Sequence, residues 1–180
     1  MTPNAGRPIA LVGLMGAGKS SVARLLGERL GVSVADLDAM IEAVEGCTVA
    51  ELFERSGEGW FRRREGELLD EVLASGVQVI ACGGGIVLDP ARRARLRERC
   101  LVVWLEVAPA TAARRVAASG GDPARVRPLL AGAGAEARLT ALLAERAPLY
   151  AEVAALRVPT DALTPEQVAE RILAPKSASS

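Results

Sequence analysis

The fold of this chain is decided by the stretch Gly13-Leu14-Met15-Gly16-Ala17-Gly18-Lys19-Ser20. It matches the phosphate-binding pattern G-x-x-x-x-G-K-[ST] at every fixed position. The apolar run Ile9-Ala10-Leu11-Val12 precedes it and predicts a buried strand, and a helical apolar pattern follows it. The motif therefore lies between a strand and a helix N-terminus, where backbone N–H groups and the helix dipole favour an anion. This arrangement predicts the binding of a nucleoside triphosphate.

Two side chains of the motif have specific expected tasks. Lys19 would reach the β- and γ-phosphates, and the Ser20 hydroxyl would bind Mg²⁺. The alternative is a glycine-rich turn with an exposed lysine, but that reading does not account for the flanking strand and helix. The motif itself says nothing about which molecule receives the phosphate.

Length and composition limit the class of protein. The chain has 180 residues, which fits one compact domain with a sizeable core. Lys+Arg and Asp+Glu both number 22, so the net charge is zero, which argues against a nucleic-acid partner. The 3 cysteines have no histidine to complete a zinc site or a nucleophile pair, and we expect them to be buried in a reducing compartment. No apolar run is long enough to span a membrane, so we expect a cytoplasmic protein without a membrane partner.

Strand and helix patterns alternate along the chain. Strands are predicted at 9–12, 32–36, 77–81, 101–107 and 156–158, and helices at 39–44, 60–73 and 135–147 among others. Thr48 begins a capping box for a short helix that breaks at Gly57. The alternation predicts an α/β fold with a parallel sheet flanked by helices. We expect a single domain over 9–174 with tails at 1–8 and 175–180, and a mobile lid at about 119–134.

Two carboxylates stand at the end of the second predicted strand, Asp36 and Asp38. Ligands of parallel α/β sheets bind at the carboxyl ends of the strands. On an extended segment these side chains would point to the same side, so one could bind Mg²⁺ and the other could accept a substrate hydroxyl and its proton. The alternative is that one of them only caps the helix that follows.

Arg62 and Glu65 lie three positions apart on a predicted helix and share a face. Burial of Phe61 would turn Arg62 partly inward, and a desolvated guanidinium suits a carboxylate or phosphate. The alternative, a solvated charged face, has equal weight on these residues alone.

Two glycine-containing segments lie later in the chain, and the first directly follows a predicted strand. Gly83-Gly84-Gly85 would let a ligand approach backbone N–H groups, whereas a plain exit turn would need one glycine only. The segment from Gly120 to Pro128 carries arginines and predicts a lid that excludes water, although a simple surface loop would read the same way.

Together these motifs resemble the shikimate kinase family, over residues 9–173. The likeness rests on the glycine loop, Asp36-Leu37-Asp38, Gly59-Trp60-Phe61-Arg62-Arg63 with Glu65, Val79-Ile80-Ala81-Cys82-Gly83-Gly84-Gly85, Arg127-Pro128-Leu129-Leu130 and Arg146-Ala147-Pro148-Leu149-Tyr150. It implies a P-loop fold like that of nucleoside-monophosphate kinases. It also implies ATP-dependent phosphorylation of the 3-hydroxyl of shikimate, a step of aromatic amino-acid biosynthesis, with one Mg²⁺ and a monomeric enzyme.

The resemblance further implies a role for each matching residue. Catalysis would involve Lys19, Asp38 and Arg127. ATP would contact Gly16, Ala17, Gly18, Lys19, Ser20, Ser21, Arg115 and Arg127, with Arg115 near the adenine. Shikimate would contact Asp38, Arg62, Gly83, Gly84, Gly85 and Arg146, while Ser20 and Asp36 would hold Mg²⁺ and Glu65 would orient Arg62. The chain departs from the family pattern at Ser21, at Pro159 and in a slightly long lid, where Arg125 could share the role of Arg127.

Four other functions fit parts of the pattern. A kinase of another small acid, such as gluconate, would share most features. A GTPase switch would need a guanine-reading Asn-Lys-x-Asp motif, which the chain lacks, and a regulatory ATPase would hydrolyse ATP whether or not a small acid is present. A nucleotide kinase would be expected to carry more cationic groups for the phosphates of its second nucleotide.

Overall fold

The computed structural model describes residues 6–118 and 134–174 of this chain. Its strands form a five-stranded parallel sheet in the order β2-β3-β1-β4-β5. The strands are β1 (Ile9–Val12), β2 (Val34–Asp36), β3 (Val79–Ala81), β4 (Leu101–Glu106) and β5 (Leu156–Pro159). The predicted α/β class and parallel sheet are confirmed.

Helices connect the strands and cover both faces of the sheet. They are α1 (Lys19–Leu30), α2 (Leu37–Glu45), α3 (Val49–Ala74), α4 (Pro90–Arg99), α5 (Pro109–Ala118), α6 (Ala135–Val153) and α7 (Pro165–Leu173), with a 3-10 turn at Ile86–Leu88. The predicted lid, including Arg125 and Arg127, lies outside the described residues apart from Gly134.

The central strand shows why the sheet is buried on both sides. All of β1 is buried, and its side chains alternate between two hydrophobic cores. Ala10 and Val12 pack in the core that α2, α3, α4 and α6 cover, whereas Ile9 and Leu11 pack in the core beneath α1 and α7. This arrangement leaves the loop after β1 at the carboxyl edge of the sheet, between the loops that follow β3 and β4.

Local signals fix several helix ends, including the predicted capping box at Thr48 and the predicted break at Gly57. Thr48 and Glu51 form a reciprocal capping box at the start of α3, and Gly57 has a non-helical φ of 78° that kinks this helix. Asp89 caps α4 through a hydrogen bond that its side chain accepts from the backbone N–H of Ala91. Gly57 therefore divides α3 into two segments, and Arg62 and Glu65 lie near the start of the second segment, beside the glycines that follow β3.

The predicted end of α6 at residue 147 is wrong, because the helix continues through Pro148 to Val153. A proline inside a helix costs about 3 kcal/mol through a lost hydrogen bond and a steric clash. Beyond it, Tyr150 is fully buried and Val153 is nearly so. Burying two such side chains contributes about 1.5–3 kcal/mol each, which offsets the cost of the proline.

Other expectations need smaller corrections. Cys82 and Cys100 are buried as expected, but Cys47 is only partly buried. Pro159 ends β5 at the edge of the sheet, where a missing backbone N–H breaks no interior ladder. Within 6–118 and 134–174, no helix combines the length and hydropathy needed to cross a bilayer.

Candidate active site

The loop between β1 and α1 has the geometry of an anion-binding site. Gly16 and Gly18 have φ values of 78° and 88°, in the left-handed region that favours glycine. Gly18 is the N-cap of α1 and supplies no side-chain cap, so the first N–H groups of the helix face the loop. Lys19 Nζ donates hydrogen bonds to the carbonyl oxygens of Gly13 at 2.8 Å and Leu14 at 2.9 Å, which holds the ammonium group over the loop.

A cavity of about 560 Å³ opens at this loop, within the usual size range for small-molecule sites. It is lined by every predicted ATP-contacting residue from Gly16 to Ser21, by Asp36, Asp38, Cys82, Gly84 and Arg115, and by residues at the start of α7, among others. The carboxyl ends of β1, β2 and β3 therefore meet at one cavity, as the strand-end rule predicts.

Asp36 performs two tasks at once. Its Oδ2 accepts a hydrogen bond from Ser20 Oγ at 2.5 Å, and its Oδ1 accepts one from the backbone N–H of Ala39 at 3.2 Å, which caps α2. The expected extended segment is wrong for Asp38, which lies in the first turn of α2 because the cap on Asp36 starts the helix there. Both carboxylates nevertheless line the cavity.

The donor set around Ser20 and Asp36 fits Mg²⁺. The ion binds hard oxygen ligands, often through one or two protein groups, with water and phosphate oxygens completing its shell. A hydroxyl oxygen and a carboxylate oxygen that already lie 2.5 Å apart beside a phosphate-type loop provide such a pair. No group of three or more His, Cys, Asp or Glu side chains in the described part of the chain could hold a metal by itself.

The three glycines after β3 make room for side chains of the protein. A Cβ on Gly83 would lie 2.2 Å from Glu65 Oε1 and 2.9 Å from Asp38 Oδ1. A Cβ on Gly85 would lie 2.4 Å from Arg62 Cζ. None of the three has a positive φ, so space and not backbone conformation requires glycine here. This packing brings Asp38, Glu65 and Arg62 together from two helices.

Gly84 joins the same cluster to α6. The Tyr150 hydroxyl donates a hydrogen bond to the Gly84 carbonyl oxygen at 2.5 Å, and Arg146 Nη1 would lie 3.7 Å from a Cβ at Gly84. Arg146 is 6% exposed, and its Nε has no hydrogen-bond acceptor among the described residues. A buried guanidinium N–H without an acceptor is costly, so this N–H group is a candidate donor to an anionic ligand.

Arg62 is held in a defined orientation. Its Nη1 donates to Glu65 Oε2 at 2.8 Å, while Nε and Nη2 donate to Glu58 at 3.3 and 3.2 Å. The guanidinium carbon lies 5.6 and 5.3 Å from the ring centroids of Phe53 and Phe61. The predicted pairing of Arg62 with Glu65 and the inward turn of Arg62 are confirmed.

Glu65 is a fully buried carboxyl group with charged neighbours. Burial raises its pKa above the ordinary value of 4.5, and the nearby Asp38 raises it further, whereas Arg62 and Arg92 oppose the rise. The arginines around Glu65 therefore favour its charged carboxylate form, and that carboxylate in turn holds the guanidinium group of Arg62.

The opposite side of the cavity contains Arg115. Arg115 donates hydrogen bonds to the Thr160 carbonyl oxygen at 2.6 Å, to the Thr160 hydroxyl at 3.1 Å and to the Gly16 carbonyl oxygen at 3.3 Å. These contacts connect α5, the segment after β5 and the glycine loop. Cys82 also lines the cavity, but burial raises the pKa of its thiol well above the ordinary value, so it stays protonated and is no nucleophile.

The sequence-predicted residues fall into two adjoining groups. The first group lines the cavity and consists of the loop from Gly16 to Ser21 together with Asp36, Asp38, Gly84 and Arg115. Arg62, Arg146, Gly83 and Gly85 do not line it, but they pack around Gly84 and Asp38 at its end. Thr160, Tyr150 and Arg92 had no assigned role from the sequence, since each acts through a contact between distant segments.

A family model described as "Shikimate kinase" matches residues 15–175. The chain belongs to the shikimate kinase family. It is 45% identical to a shikimate kinase of Symbiobacterium thermophilum over 92% of this chain and 93% of that one. It is 50% identical to a shikimate kinase of Thermobifida fusca, again covering 92% and 93% of the two chains. The sequence-based prediction of the family is confirmed.

Solved structures support the same assignment of this shikimate kinase family member. A shikimate kinase from Acinetobacter baumannii in complex with shikimate superimposes with a TM-score of 0.85 and 38% identity, covering 93% of this chain and 90% of that one. A gluconokinase from Sinorhizobium meliloti superimposes with a TM-score of 0.61 and 18% identity, covering 93% and 90%. The second likeness shows only a shared fold, so it gives no support to gluconate as the acceptor.

Proposed function

We propose that this protein transfers the γ-phosphoryl group of ATP to the 3-hydroxyl of shikimate, giving shikimate 3-phosphate and ADP. One observation carries the proposal: the phosphate-binding loop and the cluster of Asp38, Arg62 and Arg146 meet at Gly84, which belongs to both. Membership of the shikimate kinase family supports the same reaction. The reaction belongs to the route that makes aromatic amino acids.

ATP would bind along the loop from Gly16 to Ser21. The N–H groups of the loop and of the first turn of α1 would donate hydrogen bonds to the phosphate oxygens, and Lys19 would contact the β- and γ-phosphate oxygens. Arg115, fixed by Thr160 on the other side of the cavity, would lie beside the adenine. The expected phosphate contact of Arg127 concerns a residue outside the described part of the chain.

Ser20 and Asp36 are the residues that would hold Mg²⁺ with ATP. When bound, the ion neutralises charge on the phosphates during transfer. Asp36 is pre-positioned for this task because the cap that it forms on α2 fixes its side chain.

Shikimate is a small polyol acid, and the second group of residues matches its chemistry. The guanidinium groups of Arg62 and Arg146 would bind its carboxylate, together with the backbone of 83–85. Asp38 faces the cavity and would accept the hydrogen bond of the reacting hydroxyl and then its proton, as the oxygen attacks phosphorus. Phosphoryl transfer depends mainly on positioning and electrostatics, so aligning this hydroxyl with the γ-phosphate is the main contribution of the site.

We also propose that the protein works as a monomer in the cytoplasm. The site residues that lie within the described part of the chain all come from one copy, which supports the proposal of a monomer.

An acceptor panel tests the proposal. ADP release would be followed with shikimate, quinate, gluconate and no acceptor. We expect turnover with shikimate alone, and equal turnover with gluconate or without an acid would contradict the substrate assignment.

Two variants separate the two halves of the site. Arg62→Ala should remove shikimate binding with a modest loss of ATP binding, whereas Lys19→Ala should stop turnover. Normal shikimate binding by the Arg62→Ala protein, measured by titration calorimetry, would contradict the proposed acceptor site.

A further inference from the structure

We infer that Arg92, on α4, is a positioning residue for the acceptor site: through Glu65 it keeps Arg62 in place for the carboxylate of the substrate. This inference rests on the proposed function. Arg92 does not line the cavity, so its contribution would be indirect.

The contacts of Arg92 place its guanidinium group between two carboxylates. Its Nη1 lies 3.8 Å from Glu65 Oε2, and its Nη2 lies 3.7 Å from Asp89 Oδ2. Its side chain is 13% exposed, so the pair with Glu65 is poorly screened by solvent. The same Oε2 atom of Glu65 accepts the hydrogen bond from Arg62. Arg92 and Arg62 therefore act on one carboxylate oxygen from two different helices.

Gly66 makes this approach possible. A Cβ on Gly66 would lie 2.6 Å from Arg92 Nε and 2.8 Å from Arg92 Nη2. Gly66 is inside α3, where a glycine costs about 0.8–1.0 kcal/mol relative to alanine. The absence of a side chain there opens the surface of the helix so that Arg92 can reach Glu65.

A charge count shows what Arg92 supplies. Glu65 faces Arg62 on its own helix, Asp38 from α2, Arg92 from α4 and Cys82 from the loop after β3. Glu58 and Asp89 also contact these arginines, but both carboxylates are largely exposed and screened by solvent. Leaving those two aside, Glu65, Asp38 and a bound substrate carboxylate present three negative charges, whereas Arg62 and Arg146 present two positive charges. Arg92 supplies the third positive charge, from the side away from the cavity. Buried like charges without compensation repel strongly, so loss of Arg92 should weaken binding of an anionic acceptor.

The test compares steady-state kinetics of single variants. Arg92→Met keeps the apolar stem and removes the charge, and we expect the KM for shikimate to rise about tenfold through the loss of one weakly screened ion pair. Both kcat and the KM for ATP should stay within about twofold, since Arg92 contacts neither ATP nor the reacting hydroxyl. Arg92→Lys should recover most of the KM because it restores the charge. Arg95→Met is the matched control, because Arg95 lies on the same helix and pairs with the exposed Asp70.

Gly66→Ala provides an independent perturbation. Its new Cβ would displace the flexible end of Arg92 and leave the arginine in the sequence, so the KM for shikimate should rise as in Arg92→Met. In the double variant the two changes should not add, because they remove one interaction. Thermal unfolding of each variant controls for folding, and if Arg92→Met does not fold, Gly66→Ala decides the question alone.

The outcomes are distinct from those of the proposed function. No shikimate turnover in the unmodified protein would overturn the proposed function. Three results, each with normal shikimate turnover in the unmodified protein, would overturn this inference alone. They are an unchanged KM in Arg92→Met, an Arg92→Lys protein as impaired as Arg92→Met, and additive effects in the double variant.

Discussion

The hydroxyl of Tyr150 donates a hydrogen bond to the carbonyl oxygen of Gly84 at 2.5 Å, and this contact joins α6 to the loop after β3. Tyr150 is fully buried, and its ring lies 5.6 Å from that of Trp104. Because Arg146 lies one turn earlier on the same helix, the hydrogen bond fixes the distance between Arg146 and the loop 83–85. The tyrosine is therefore a link between the core and the acceptor side of the site.

Removing this hydroxyl should affect both stability and substrate binding. We expect Tyr150→Phe to lower the free energy of unfolding by about 1–3 kcal/mol, the cost of leaving a buried carbonyl oxygen without its donor. The KM for shikimate should rise with little change in the KM for ATP. Urea unfolding and initial rates measure the two effects. Thr140→Val, which removes an exposed hydroxyl from the same helix, is the control and should change neither.

The glycines after β3 give a second prediction. In Gly83→Ala the new Cβ would lie 2.2 Å from Glu65 Oε1 and 2.9 Å from Asp38 Oδ1, so both carboxylates would have to move. Displacement of Asp38, the proposed acceptor of the substrate hydroxyl, should lower kcat/KM for shikimate by about 100-fold or more, as misplacement near the chemistry typically does.

The matched control is Gly59→Ala, since a Cβ at Gly59 meets nothing within 4 Å. Gly59 also lies on α3, where alanine is the better helix former. We expect this protein to keep normal kinetics and at least normal stability. Equal activity of the two variants would show that the space at Gly83 is not needed by the site.

Parts of this arrangement follow from local sequence and could be predicted. The loop from Gly13 to Ser20 is fixed by its glycines and by the strand and helix on either side, so the ATP side of the cavity was predicted from one motif. The pair of Arg62 and Glu65 follows from helical spacing, because residues three apart share a face. The strand-end rule correctly placed Asp36 and Asp38 at the cavity without any knowledge of the strand order.

Other parts depend on contacts between distant segments. The contact of Arg92 with Glu65 requires the packing of α4 against α3, and no spacing in the sequence encodes it. The roles of Gly83 and Gly85 were predicted as ligand approach, whereas the structure shows side chains of the protein in that space. The extension of α6 past Pro148 depends on the burial of Tyr150, a tertiary effect that outweighs the local penalty of proline.

The raised pKa of Glu65 predicts opposite effects of pH on stability and on substrate affinity. Burial raises this pKa above 4.5, so the folded protein binds a proton over a pH window in which the unfolded chain has lost it. The contribution of Glu65 to the free energy of unfolding therefore falls as the pH rises through that window. Affinity changes the other way, because protonated Glu65 no longer holds Arg62 by charge. The KM for shikimate should rise as the pH falls toward the folded-state pKa.

The comparison with Glu65→Gln isolates this effect. The glutamine variant keeps the shape of the side chain but cannot titrate, so its KM for shikimate should be high and should lose the Glu65-dependent step with pH. Its free energy of unfolding should likewise lose the pH-dependent contribution of this residue. The KM would be measured from about pH 8 to about pH 5, a range that covers an upward shift of a glutamate. A pH profile of the KM shared by both proteins would assign the titration to another group.

Asp36 allows the proposed Mg²⁺ contact to be tested separately from the fold. Its side chain caps α2 through Oδ1 and accepts the Ser20 hydroxyl through Oδ2. Asn caps helices about as well as Asp, so Asp36→Asn should change the free energy of unfolding by less than about 0.5 kcal/mol. The loss of the carboxylate charge should raise the Mg²⁺ concentration needed for half-maximal activity by about tenfold, since hard cations prefer charged oxygen ligands.

The matched control is Asp89→Asn, which changes the cap of α4 in the same way. Asp89 does not line the cavity, so this variant should leave the Mg²⁺ requirement unchanged. The two variants would be titrated with Mg²⁺ at fixed ATP and shikimate, and an unchanged Mg²⁺ requirement in Asp36→Asn would leave Asp36 with its capping task alone.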